Sequence, residues 1–155
     1  MFVQSVDLSD LDRLGKTLNS LLREFPEKRR VLHDQLGTLA KREVDAGIGG
    51  SGKVQGWQEA RVGSGGGYAA VSPMRGKFQT PNGEEYAYGQ VTNAIESGHT
   101  QSPGRFVPKL GKQLKLKKVE GKLFYQSAEK SLESKVAQTV ERFVDELAQK
   151  LEGSG

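Results

Sequence analysis

From Phe124 to Leu151 the chain carries Phe124, Ala128, Leu132, Val136, Val140, Phe143, Leu147 and Leu151 at successive spacings of three and four. That spacing puts every one of these side chains on one side of a 3.6-residue helix, so the segment predicts a single long C-terminal helix with one apolar seam. The seam has to be covered, either by the chain's own core or, where part of it stays exposed, by a partner subunit.

Leu8, Leu11, Leu14, Leu18, Leu21 and Leu22 recur at helical spacing, with Asp7 or Ser9 as cap, and predict an amphipathic helix from Leu8 to Leu22. Pro26 suits the first turn of a second helix, where a missing N–H is no loss. That helix, Glu27 to Ala46, places Val31, Leu32, Leu36, Leu39, Ala40 and Val44 on one side, and Gly47 is a natural stop. Strand-forming residues follow at Val54 to Val62 and Tyr68 to Val71, joined by Gly63-Ser64-Gly65-Gly66-Gly67, which can supply the positive φ values of a hairpin loop. Met74 to Gln79 is expected to add a third strand before the turn Thr80-Pro81-Asn82-Gly83. Glu84 to Ser97 reads as a short helix ended by Gly98.

The fold class expected from this order is α+β, a small antiparallel sheet with N-terminal helices and a long C-terminal helix packed against it. At 155 residues one domain suffices, spanning 1–152, with a Gly-rich loop region at 47–67, a basic loop at 103–122 and a disordered tail at 153–155.

Charge is where the sequence is most uneven. Between Pro103 and Lys122 stand Arg105, Lys109, Lys112, Lys115, Lys117, Lys118 and Lys122 against the single acid Glu120, a local +6 in a chain whose net charge is +4. The excess positive charge therefore belongs to one loop. Two readings stay open for it. A strand or ribbon with one cationic face, from the partly alternating lysines and leucines of Lys109 to Lys118, would meet phosphates as non-specific, salt-dependent contacts, with Lys112, Lys115, Lys117 and Lys118 as the DNA-proximal or lumen charges. The same lysines also keep an exposed loop soluble and a strand edge unpaired.

Several chemistries lose their support. The chain has no cysteine, which removes disulfides, thiolate metal sites and a cysteine nucleophile. Gly47-Ile48-Gly49-Gly50-Ser51-Gly52-Lys53 has the spacing of a phosphate-binding loop. It is followed by Val54 instead of Ser or Thr, and it comes after a helix instead of after a strand. Glu96 and His99 are three apart, as in carboxylate metal sites of helix bundles, but His33 is the only other histidine and no second such pair exists. No strained serine turn suggests a nucleophile. The expectation is a non-enzyme with no catalytic residue, no metal and no cofactor. The N-terminus lacks a basic region followed by an apolar run, so no secretory signal is expected, and no apolar run approaches the ~20 residues of a membrane span. Trp57, the one tryptophan, together with Phe106 and Phe124, is expected to serve as a packing or interface anchor.

The stretch Asn93-Ala94-Ile95-Glu96-Ser97-Gly98-His99 is similar to a helix end reading roughly "v-E-x-G-H". Val119-Glu120-Gly121-Lys122-Leu123-Phe124-Tyr125-Gln126-Ser127-Ala128 is similar to a helix entry reading "v-x-G-x-x-F-x-x-x-A". In this order the two resemble the small neck or tail-completion proteins (minor tail components) of long-tailed bacteriophages, with Glu96, Gly98, His99 and Gly121 as the motif residues. Ala46 to Gln58 has no counterpart of the "P-V-x-T-G-x-L-R" stretch found in many relatives. The resemblance implies a non-enzymatic structural virion protein of the head-to-tail junction, present in the virion and in the host cytoplasm during assembly. It implies a homo-oligomeric ring around the DNA channel, for which a hexamer is one copy number. The implied partners are other head-completion, tail-terminator or tail-tube proteins, with DNA near the basic loop and no membrane. The alternative is a small nucleic-acid-binding module that uses the 105–122 basic loop.

Overall fold

The structure is a computed structural model that describes residues 9–50, 52–100, 106–113 and 118–153; the side chains of 106, 107, 110 and 113 also lie outside the description. The architecture is α+β. A 40-residue helix α1 (Ser9–Ile48) is followed by a 3-10 turn (Gln55–Trp57) and the hairpin β1 (Gln58–Val62) and β2 (Ala69–Pro73). Next come the hairpin β3 (Lys77–Gln79) and β4 (Glu85–Ala87), helix α2 (Tyr88–Ser97) and strand β5 (Gly98–Thr100). A short hairpin, β6 (Phe106–Val107) and β7 (Lys112–Gln113), precedes β8 (Lys118–Glu120), and helix α3 (Phe124–Glu152) ends the chain. Among the described residues no helix is long and apolar enough to cross a membrane.

The N-terminal region departs from the two helices expected. Pro26 lies inside one continuous helix. A proline there removes one backbone bond and crowds the preceding turn, a penalty of about 3 kcal/mol. Contacts with α3 hold the helix just before the proline: Phe25 packs on Phe143 with ring centroids 6.4 Å apart, and Lys150 donates to Glu24 at 3.1 Å. Further along, Ser131 and Lys135 both donate to Glu43. As numbers rise from 131 to 150 on α3, their partners fall from 43 to 24 on α1, so the helices run antiparallel.

Gly47 is also not where α1 stops. The helix runs to Ile48 and reverses through Gly49 and Gly50, both at positive φ. Gly47 has a packing role instead, because a Cβ there would lie 3.0 Å from the Cβ of Phe124. The last carbonyls of α1 are met from outside the helix. Gln55 Nε2 donates to the Asp45 carbonyl at 2.7 Å, and Lys122 Nζ to that of Ile48 at 2.9 Å. Lys122 thereby places a cation at the negative end of a helix whose own last turn carries no basic residue.

No single sheet forms among the described residues. Four two-stranded antiparallel ribbons pair β1 with β2, β3 with β4, β5 with β8, and β6 with β7. The segment expected to extend the first hairpin pairs forward instead. Within Thr80-Pro81-Asn82-Gly83, Gly83 donates to the Thr80 carbonyl at 2.9 Å, and Thr80 donates to that of Glu84 at 2.8 Å. This turn draws Lys77–Gln79 onto Glu85–Ala87, so the residues expected to begin a helix at Glu84 form a strand and α2 starts at Tyr88.

The core is small and lies where three helices converge. Val44 and Ile48 of α1 meet Phe124 and Ala128 of α3, with Val54, Val71, Ile95 and Tyr125 packed around them. Phe124 is completely buried. The rest of the α3 seam runs half-buried beside α1, and Val140 and Val144 are exposed.

Phe124→Ala is expected to destabilise the fold by about 3–5 kcal/mol, read from the urea midpoint, because truncating a fully buried ring leaves a cavity in the core. The lysine hydrogen bonds from Lys150 and Lys135 also set a pH dependence, since they hold the Glu24 and Glu43 carboxyls below their ordinary range. A carboxyl with a lowered folded pKa adds stability above its unfolded pKa and loses it as pH falls through the lowered value. Melting temperature is therefore expected to decline modestly below about pH 5, the exposure of Glu24 and of both lysines keeping the effect small. The double variant Lys135→Met, Lys150→Met should flatten that slope.

Candidate functional site

The two motif segments are separated by some twenty residues in sequence, and the fold presses one against the other. Strand β5 pairs with β8 in the register Gly98 to Glu120, His99 to Val119 and Thr100 to Lys118. At the start of this ribbon the backbones cross with no side chain between them. A Cβ on Gly98 would lie 2.4 Å from the Val119 carbonyl oxygen, and one on Gly121 would lie 2.2 Å from that of Glu96. Both distances are far inside van der Waals contact and both neighbours are backbone, so neither can move aside as a side-chain tip would. Gly98 also adopts φ +80, a conformation that other residues rarely adopt.

The crossing joins the end of α2 to the beginning of α3. Lys122 and Leu123 donate their N–H groups to the carbonyls of Ile95 and Glu96 at 2.8 and 3.1 Å, satisfying two of the acceptors that a helix end leaves open. Leu123, the one described non-glycine residue at positive φ, turns the chain into α3 and has no side-chain acceptor to cap the new helix. Glu96 supplies the acceptor from α2, its Oε2 taking the Tyr125 N–H at 3.1 Å. A carboxylate at a helix N-terminus is favoured by the helix dipole as well as by the hydrogen bond.

Below the crossing lies a buried polar relay. Tyr125 Oη donates to Gln58 Oε1 at 2.5 Å, and Gln58 Nε2 donates to Thr92 Oγ1 and to the Val54 carbonyl, each at 3.3 Å. Gln58 and Thr92 are buried, so each depends on these partners. Burial raises the pKa of the Tyr125 phenol and the charge of Glu96 raises it further, which keeps the phenol a donor. The relay ties α3, β1 and α2 together, and the sequence carried no signal for it.

The motif residues thus have assigned positions. Glu96 caps α3, Gly98 and Gly121 form the crossing, and His99 stands exposed on β5. The Glu96 and His99 pair is divided between these two places, and among the described residues no cluster of ligands could hold a metal. Phe124 is a core residue. Trp57 stacks on Phe78 at 4.8 Å and leans on Tyr88 at 5.1 Å, forming a half-buried aromatic cluster with Lys53 Nζ 5.7 Å from the Phe78 ring centre. Lys53 of the glycine-rich loop therefore rests against an aromatic ring. The backbone of Phe106 begins β6, and its side chain is outside the described set.

Of the four lysines singled out, Lys112 on β7 and Lys118 on β8 are exposed, as is Lys109, whereas Lys115 and Lys117 lie outside the described residues. The segment expected as a basic loop, with a strand or ribbon read for its lysine tract, contains β6, β7 and β8, which are held by backbone pairing.

Compared with known proteins, the chain matches no family model, no curated protein and no solved structure.

Gly121→Ala is expected to destabilise by about 2 kcal/mol or more, because overpacking here must separate two backbones. Gly89→Ala, in α2 with open space around the added carbon, is the control and should be neutral or stabilising by about 0.5–1 kcal/mol. Urea titration of the two variants checks the contrast.

Proposed function

We propose that the chain is a non-enzymatic structural protein of the head-to-tail junction of a long-tailed bacteriophage, acting in the neck or tail-completion position and assembling as a ring around the DNA channel. The observation that carries this reading is the physical role found at Glu96, Gly98, Gly121, Phe124 and Ala128. In "v-E-x-G-H" the glutamate caps α3 and the glycine forms one side of the crossing. In "v-x-G-x-x-F-x-x-x-A" the glycine forms the other side, and Phe124 and Ala128 are buried beneath it. Two short motifs that resemble one family's pattern therefore act as one unit, which makes chance similarity of either alone a poorer account.

Two further features support a structural role. The backbone pairing of β5 with β8 presents Lys118 beside Thr100 on an exposed ribbon, and Lys109 and Lys112 stand exposed on the neighbouring hairpin. Cations held this way suit a surface lining a channel through which DNA passes, where contact should be non-specific and weakened by salt. The exposed apolar residues of α1 and α3 give a ring its interfaces without any catalytic group.

Mass measured by light scattering, for the protein alone and mixed with head-completion, tail-terminator and tail-tube proteins, tests the reading. A closed multi-copy assembly in at least one condition is expected. A strict monomer in both overturns it, and a monomer whose affinity for duplex DNA falls steeply with salt establishes the nucleic-acid-binding module in its place.

A further inference from the structure

Pro26 divides α1 into two lengths that differ in what holds them. Every buried residue of the helix, Leu32, Gly37, Val44 and Ile48, comes after it. None of residues 9–25 is buried, and residues 22–27 are all exposed. At the junction the straight helix runs against local preference twice. The proline has no N–H to give the Leu22 carbonyl and crowds it, and its ring disfavours the helical conformation at Phe25. A break between Phe25 and Pro26 relieves both. It leaves Pro26 at the first position of a helix over 26–48, where a missing N–H is no loss, with Glu27 as an acid in the first turn. The carbonyls that lose their donors belong to exposed residues, so water takes the place of those donors.

From this asymmetry we infer that Pro26 is a hinge and that the last turns of α3 form the latch that keeps it straight. The latch has two parts. Glu24 accepts from Lys150 at 3.1 Å, with Ser20 of its own helix donating to it at 3.0 Å and Lys28 Nζ reaching it across the hinge at 3.9 Å. Phe25 rests on Phe143, the ring centroids 6.4 Å apart. Glu24, Phe25 and Lys150 are all exposed. An ion pair open to water holds weakly, and the core around Phe124 includes none of these residues, so the latch opens without disturbing it. The arm is long enough for a small bend to matter. Residues 9–25 span about 25 Å at 1.5 Å per residue, and a kink of about 20° at Pro26 carries Ser9 sideways by roughly 9 Å. Hinge and latch together set the direction in which this arm leaves the domain. They belong to a single chain and operate whether or not copies assemble into a ring.

The chain has no cysteine, so the test uses spin labels on the full chain at Asn19→Cys in the arm and Glu141→Cys in α3, both exposed positions. The distance between them is read by pulsed electron–electron double resonance. Pro26→Ala is expected to give the one narrow distance of a continuous helix, and the parent should keep that distance as its main population. Glu24→Gln with Phe25→Ala opens the latch at exposed residues, and a second, displaced distance should become the larger population. Adding Pro26→Ala to that latch variant should return it to the single distance. Lys150→Met, which weakens the latch from the side of α3, should shift the distribution the same way as the latch variant, and Pro26→Ala should again reverse the shift. Distributions that are the same with proline as with alanine at position 26 in the opened-latch chains, whether narrow or broad, overturn the inference.

Discussion

The burial of Phe124 is the contact on which the rest of the arrangement depends. Its ring enters the space between α1 and the ribbons because Gly47 of α1 carries no side chain to oppose it. The docking fixes the start of α3, and from there the antiparallel course along α1 follows. It also fixes the position to which α2 must bring Glu96, since the cap is useful only beside the first N–H groups of α3. With so few fully buried apolar residues, the hydrophobic term alone would leave this junction loosely specified. The buried relay through Gln58, Thr92 and Tyr125 adds directional bonds, whose loss would strand polar atoms away from water.

Much of the frame was legible in the sequence because its signals are local. The period of the C-terminal seam, the turn at Thr80 to Gly83 and the helix end at Gly98 each depend on a few adjacent residues. What escaped detection depends on distant partners. Pro26 stands inside α1 directly after Glu24 and Phe25, whose partners Lys150 and Phe143 are more than a hundred residues away. Lys122 counted as one more loop cation until the structure placed it at the end of α1. Glu96 and His99 formed a pair by spacing, yet the carboxylate serves a helix that begins almost thirty residues later. Pairing of β5 with β8 around an inner hairpin is non-local in the same way, and neither strand is long enough to announce itself.

The division of charge follows the division of labour. Cations with structural work are tied to carbonyls or carboxylates, as Lys122, Lys135 and Lys150 are. Lys109, Lys112 and Lys118 project from ribbons into solvent, where their charge is available to a polyanion. The apolar surface is similarly divided. One face of α1 is covered by α3 along most of its length and bare near its start, so a single helix contributes both to the core and to the exterior.

The glycine crossing has a consequence for how such a chain can change. It clamps both ends of the stretch between Thr100 and Lys118 by main-chain contact, independently of the side chains in between. Closing a loop becomes harder only slowly with length, by about 0.6 kcal/mol for each doubling. The stretch can therefore be rewritten or lengthened with little effect on the helices that carry it, so the surface it presents and the frame that holds it are inherited as separate traits.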